Sequence, residues 1–155
     1  MLELTVKTKD MEAIPDKTLR IIDANLNRIG EGLRVLEDIA RLLLDDAGLS
    51  QQLKDMRHEM VKVDLSLEQQ FLQARNSEGD VGVDIEATGE ERQKDLPATV
   101  VANSRRVQEA LRVLEELAKN PGVPLEPDKF KQARFNLHTI EKELFSKLMS
   151  QNRAS

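Results

Sequence analysis

Apolar residues at Ile22, Leu26, Ile29, Leu33, Leu36, Ala40 and Leu43 are spaced alternately by four and three, the interval that stacks side chains on one face of an α-helix. Pro15 suits a first helical turn, so the spacing predicts a first helix from there to near Gly48. Leu49, Leu53, Met56, Met60, Val63 and Leu67 keep the same interval beyond that glycine. They predict a second helix reaching about Arg75, and the short connection makes it an antiparallel neighbour of the first. A third helix is expected from near Pro97, with Val100, Val107, Leu111, Leu114 and Ala118 on one face and a stop at Asn120-Pro121-Gly122. A fourth begins at Pro127 and runs through Phe130, Leu137, Leu144 and Leu148.

The first and third helices are nearly one helix written twice. Residues 24–41 (ANLNRIGEGLRVLEDIAR) align without a gap on residues 102–119 (ANSRRVQEALRVLEELAK). Identical pairs include Asn25/Asn103, Arg28/Arg106, Glu31/Glu109, Arg34/Arg112 and Glu37/Glu115. A weaker match pairs Lys54 with Lys131 and Arg57 with Arg134, extending the duplication to whole hairpins. Two copies are too few for a solenoid and indicate a pseudo-symmetric domain. The expected fold is all-α and four-helix bundle-like over residues 15–150. Repeat 1 covers about 19–75 and repeat 2 about 97–150, with residues 1–14 as a flexible N-terminal arm.

The repeats are separated by a loop over residues 76–95 that holds three glycines and no helical period. Long structureless connections in compact domains tend to be lids or binding loops, or else disordered.

Composition narrows the function classes. A chain of 155 residues fits one domain that needs no disulfide or structural metal. The absence of cysteine removes thiolate chemistry and zinc–thiolate sites. A net charge of −5 with no Trp or Tyr argues against nucleic-acid binding. No apolar run approaches the roughly 20 residues of a membrane span, and the N-terminus lacks a signal peptide's apolar core, so the cytoplasm is the expected location.

A second stripe beside the main apolar face reads Ile21, Asn25, Arg28, Gly32, Val35 and Ile39, and repeats as Thr99, Asn103, Arg106, Ala110, Val113 and Leu117. Asn and Arg beside a residue with little or no side chain describe a polar notch in an apolar wall. Arg is a rigid donor fork suited to phosphate, and Asn adds a donor and an acceptor. The alternative is that each Arg pairs with a carboxylate and each Asn ties down a helix end. Glu31, Arg34, Asp38 and Arg41 fall on the outward face, as an ion-pair ladder would. Glu31, Arg34 and Glu37 nevertheless recur unchanged as Glu109, Arg112 and Glu115. Arg57 flanks the core stripe of the second helix, next to His58, which is either a packed or solvated side chain or a group available for proton transfer. Asp80 in the loop is a candidate Mg²⁺ ligand or base, or simply a turn former. There is no P-loop and no G-x-G-x-x-G.

The run RIIDANLNRIGEGLRVLEDIAR, then LKDMRHEM, then DVG, then VVANSRRVQEALRVLEEL and ARFNLHTIEKEL resembles a small family of hydroxymethylpyrimidine phosphate kinases. Its members occur alone or as the N-terminal part of chains ending in thiamine phosphate synthase. The resemblance covers about residues 19–148, and the standalone form is expected here. It implies ATP-dependent phosphorylation of hydroxymethylpyrimidine phosphate to the diphosphate, with selectivity for the monophosphate over the free alcohol. Two departures are Ile29-Gly30, where the family has Ala-Arg, and His138, where it usually has tyrosine.

Phosphoryl transfer runs on positioning and charge stabilisation. The residues expected to hold substrate phosphate are Asn25, Arg28, Asn103 and Arg106, with Arg57, Arg134, Arg34 and Arg112 as further candidates. Asp80, Glu31 and Glu109 are the candidate catalytic carboxylates, Asp80 also as the metal ligand, with ATP and Mg²⁺ as cofactors. A homodimer is expected. The rival readings are a non-enzymatic dimerisation or adaptor bundle, and a phosphotransfer bundle using His58.

Overall fold

The structure, a computed structural model, describes residues 14–82 and 95–154. Among them are five α-helices and no strand: α1 (Asp16–Asp38), α2 (Ala47–Val61), α3 (Leu65–Ala74), α4 (Leu96–Ala118) and α5 (Pro127–Ala154). The all-α expectation holds. The arm at 1–13 and loop residues 83–94 lie outside the described residues.

The first helix stops earlier than its apolar spacing predicts. After Asp38 the chain widens into a π-helical turn, Ile39–Leu43, in which the Leu44 amide donates to the Ile39 carbonyl at 3.1 Å. The reversal then falls on Asp45, at φ 49°, a left-handed conformation that Asp tolerates better than most residues. Gly48 does not end a helix; it sits in the first turn of α2. Asp46 caps α2, its side chain accepting from the Leu49 amide at 2.9 Å.

The expected second helix is two. Lys62 is extended, and Asp64 starts α3 by accepting from the Leu67 amide at 2.7 Å. The apolar interval passes through this break, because Met60 and Leu67 are both buried on its two sides. A three-residue bend therefore leaves the period intact while turning the backbone. Among the described residues the bundle thus has five α-helices in place of four.

In the second hairpin, local signals coincide with the elements. Asp95 caps α4 by accepting from the Ala98 amide at 2.9 Å, just before Pro97. After α4 the chain turns through Gly122 at φ +90°, which favours glycine.

α1 and α4 pack against each other as the central pair. α2 and α3 lie on α1, α5 lies on α4, and α2 touches α5. Ile22, Ile29, Leu33 and Leu36 of α1 meet Val107, Leu111 and Leu114 of α4 in one core, all fully buried, closed by Phe71 and Phe130. Gly32 sets the closeness of the central pair, since a Cβ there would lie 2.4 Å from Val107 Cγ2 and 3.3 Å from the Asn103 carbonyl oxygen. Its counterpart in the second repeat is Ala110, also buried.

Candidate functional site

The repeated residues build the same polar devices in both halves. Asn25 is buried and donates through Nδ2 to the Ile21 carbonyl at 2.8 Å; Asn103 does the same to Thr99 at 2.9 Å. Each Asn Oδ1 then accepts from an arginine one turn on, Arg28 at 3.3 Å and Arg106 at 3.5 Å. The buried asparagine is thus tied to its own helix and orients an exposed guanidinium. This corrects the picture of a notch sunk in an apolar wall: the amides are buried, but the arginines reach solvent. Neither arginine forms an ion pair among the described residues, so both keep donors for an anion.

A second repeated device joins each central helix to its hairpin partner. Arg57 donates through Nε to Glu37 at 3.0 Å, and Arg134 through Nη2 to Glu115 at 3.1 Å. Glu37 and Glu115 are buried, so both carboxylates lie beside the core. The second half adds Arg112, whose Nη1 is 2.8 Å from Glu115. In the first half the equivalent Arg34 turns to Asp38 at 3.6 Å, as an outward ladder would. Arg134 approaches through Nη2, and its Nε is left buried without a hydrogen-bond partner. Four of the predicted phosphate-binding arginines, Arg34, Arg57, Arg112 and Arg134, are therefore engaged by carboxylates.

Glu37 and Glu115 are the residues that sequence reasoning missed. The available signal was that each repeats together with an arginine on the partner helix, Arg57 or Arg134.

The chain after α3 returns to α1. Arg75 forks onto the buried Asp23 with bonds of 2.8 and 3.1 Å, and the carboxylate raises the guanidinium's pKa. Arg20 donates to the Asn76 carbonyl at 3.2 Å. Asp80 follows in an exposed turn, its Oδ1 accepting from the Gly82 amide at 2.8 Å, which is the turn-forming role. Glu31 and Glu109 are exposed on the central helices, and His58 is exposed in the last turn of α2.

Among the described residues no three acidic or histidine side chains converge as a metal cage. Mg²⁺ in phosphoryl transfer is usually held by one or two carboxylates together with the phosphates; here Glu31 and Glu109 stand on separate helices and Asp80 in the turn after α3. Two open grooves of about 870 and 810 Å³ lie along α2, α3 and α5 and contain none of the repeated polar residues. A crevice of about 270 Å³ is bordered by Asp23, Asn27 and Glu31. We place the candidate site by its repeated chemistry, on the α1/α4 side, because groove size alone says nothing of the groups that would bind a ligand.

A profile of the ThiD2 family matches residues 20–143, and the chain belongs to that family. It is 42% identical over 102 residues to a thiamine-phosphate synthase of Rhodopirellula baltica, covering 65% of this chain and 27% of that protein. It is 36% identical over 135 residues to a thiamine-phosphate synthase of Nostoc punctiforme, covering 86% of this chain and 37% of the relative. A thiamine-phosphate synthase of Synechococcus sp. (strain CC9311) is 36% identical over 155 residues, with 98% and 41% covered. The chain thus spans between about a quarter and two fifths of the length of these curated relatives. No solved structure matches. Among the described residues no helix is long and apolar enough to cross a membrane.

Proposed function

We propose that this chain is a kinase of thiamine biosynthesis that transfers a phosphoryl group from ATP to hydroxymethylpyrimidine phosphate, giving the diphosphate. The observation that carries the reading is the twice-built Asn–Arg device, in which a buried amide aims an exposed guanidinium that has no carboxylate partner among the described residues. The names of the relatives place similar sequence in proteins of the same pathway.

In the reaction, an oxygen of the substrate's phosphate attacks the γ-phosphorus of ATP while the bond from that phosphorus to the bridging oxygen breaks and ADP leaves. The attacking oxygen belongs to a phosphate that is already anionic at neutral pH, so positioning and charge neutralisation are the main requirements. Arg28 and Arg106 supply fixed positive charge for the substrate phosphate, with Asn25 and Asn103 limiting their rotation. Glu31, Glu109 and Asp80 are the carboxylates that would hold Mg²⁺, which neutralises phosphate charge when bound. Selectivity for the monophosphate follows from the same arginines, because an alcohol lacking the phosphate offers them nothing to bind and forfeits that binding energy in the transition state.

The test is a coupled ADP-release assay with Mg-ATP, comparing hydroxymethylpyrimidine phosphate with the free alcohol and identifying the product by mass. Turnover of the phosphate alone is the expected result. Silence with both, from protein with a cooperative melting transition, would reject the kinase in favour of a binding or adaptor role.

A further inference from the structure

We infer that the ring of the phosphate-bearing substrate lies on Val113 and Ile21, at one end of the exposed α1/α4 face, an inference that rests on the phosphate-binding reading of Arg28 and Arg106. Residues seven apart in a helix fall about 20° short of two full turns. Ile21, Arg28 and Val35 therefore form one line along α1, and Thr99, Arg106 and Val113 the matching line along α4. The two helices run in opposite directions. Gln108 bonded to Glu141 and Arg134 bonded to Glu115 make α5 antiparallel to α4, and Gln151, near the end of α5, donates to the Leu43 carbonyl just beyond α1. The end of α1 thus lies at the start of α4. Gly32 fixes the level, since a Cβ there would meet Val107 and the Asn103 carbonyl oxygen. Counted in opposite directions from that point, the two lines interleave in the order Ile21, Val113, Arg28, Arg106, Val35, Thr99, each step advancing about 5 Å along the axis.

The two arginines are thus adjacent at the middle of the face, and its ends differ. Ile21 is 44% exposed and Val113 38% exposed, whereas at the other end Val35 is packed against the core and stands beside Thr99. Ile21 and Thr99 hold the same position in the repeat. The face is therefore symmetric in its arginines and asymmetric in its apolar surface. A ligand with one anionic group and one apolar group fits such a face in one orientation. Hydroxymethylpyrimidine phosphate has that form, a planar ring joined through a methylene to the phosphate. With the phosphate on Arg28 and Arg106, the ring extends over Val113 towards Ile21 and covers apolar surface that packing within the chain leaves in water. No aromatic side chain stands on either line, so the platform is aliphatic.

The test is calorimetric titration without ATP, which is read apart from any turnover. Covering one or two branched aliphatic side chains should make wild type bind hydroxymethylpyrimidine phosphate about tenfold more tightly than inorganic phosphate, or better. Ile21→Thr/Val113→Thr introduces the second repeat's own residue at the first position and a near-isostere at the second. It should lose that preference while binding inorganic phosphate as tightly as wild type. Both positions are exposed, so helical circular dichroism and the melting transition should be retained. Thr99→Ile, at the other end, should leave the preference unchanged. A preference that survives in the double variant would overturn the platform. So would an equal loss for both ligands, which assigns the effect to the arginines, or a Thr99→Ile chain altered as much as the double variant. Wild type that binds the two ligands equally, or neither of them, would overturn it as well. ADP release together with an unaltered preference in the double variant would keep the kinase and reject the platform; a ring-dependent preference without ADP release would do the reverse.

Discussion

Arg134 donates to the buried carboxylate of Glu115 at 3.1 Å, repeating in the second hairpin the bond of 3.0 Å that Arg57 makes to Glu37 in the first. These bonds fasten α5 to α4 and α2 to α1, so the two hairpins share one clasp as well as one sequence. Breaking a buried pair by removing one partner leaves a charge without compensation and costs about 3 kcal/mol or more, whereas an apolar replacement of both is often neutral. Arg57→Leu should therefore destabilise strongly, while Arg57→Leu/Glu37→Leu recovers most of the loss; Arg134→Leu should cost less, since Arg112 still faces Glu115 at 2.8 Å. Urea unfolding of the two single variants and the double variant gives the coupling directly. Additive single effects would remove the clasp from the account of stability.

Gly32 is expected to resist the replacement that helix propensity favours. Alanine gains roughly 1 kcal/mol over glycine inside a helix, yet a Cβ here would stand 2.4 Å from the Val107 side chain. Overpacking of that kind typically costs about 1–3 kcal/mol. Gly32→Ala should lower the melting temperature, and Gly32→Ala/Val107→Ala should relieve part of the added strain. A Gly32→Ala protein more stable than wild type would show that α1 and α4 have room to separate.

The bend at Asp64 sets how much of the fold could be read in advance. The starts of α4 and α5 were legible because Pro97 and Pro127 act locally, and the faces of α1 and α4 because their apolar spacing is unbroken. The division of α2 from α3 was hidden, since Met60 and Leu67 keep the spacing across a bend of three residues. The π turn after Asp38 was hidden for the same reason, with the reversal at Asp45 and not at the more conspicuous Gly48. At the candidate site, the repeat singled out Asn25, Arg28 and their counterparts, and the structure joins them by hydrogen bonds. The burial of Glu37 and Glu115 was not legible from periodicity, because a charged residue bordering an apolar stripe can point inward only when a partner helix brings an arginine to meet it. Loss of the Asp64 cap is correspondingly testable: Asp64→Ala should cost about 1 kcal/mol, measured by thermal unfolding, and Asp64→Asn much less.

Acid should weaken the corner between α1 and α2. The Leu49 amide, and then the Lys147 ammonium of α5, hold the Asp46 carboxyl below its ordinary value of 3.8. A carboxyl whose pKa falls on folding stabilises the protein above its unfolded value, and that contribution disappears as the pH drops through the folded one. Asp46→Asn keeps a capping oxygen but loses the charge facing Lys147. Its melting temperature should lie below wild type at neutral pH, and the gap should close as the pH falls below 3.8. A gap that is constant with pH would assign the effect to the cap alone.

Arg28 and Arg106 provide the sharpest test of the proposed chemistry, because the structure separates their contribution to folding from any contribution to binding. Both are exposed, and their described hydrogen bonds run to asparagines on their own helices. Alanine at either position should thus change stability by only about 0.5 kcal/mol. A charge-assisted hydrogen bond to phosphate contributes roughly 1.5–3 kcal/mol, which corresponds to a loss of about tenfold to a hundredfold in affinity. Titration calorimetry with hydroxymethylpyrimidine phosphate should show that loss in Arg28→Ala and in Arg106→Ala. Lysine should restore only part of it, since an ammonium keeps the charge without the fork. Asn25→Leu and Asn103→Leu should weaken binding by a smaller factor, because they free the guanidinium without removing it. Unchanged affinity in both alanine variants would move the phosphate site away from the α1/α4 face and require that the duplicated Asn–Arg pairs be explained by packing alone.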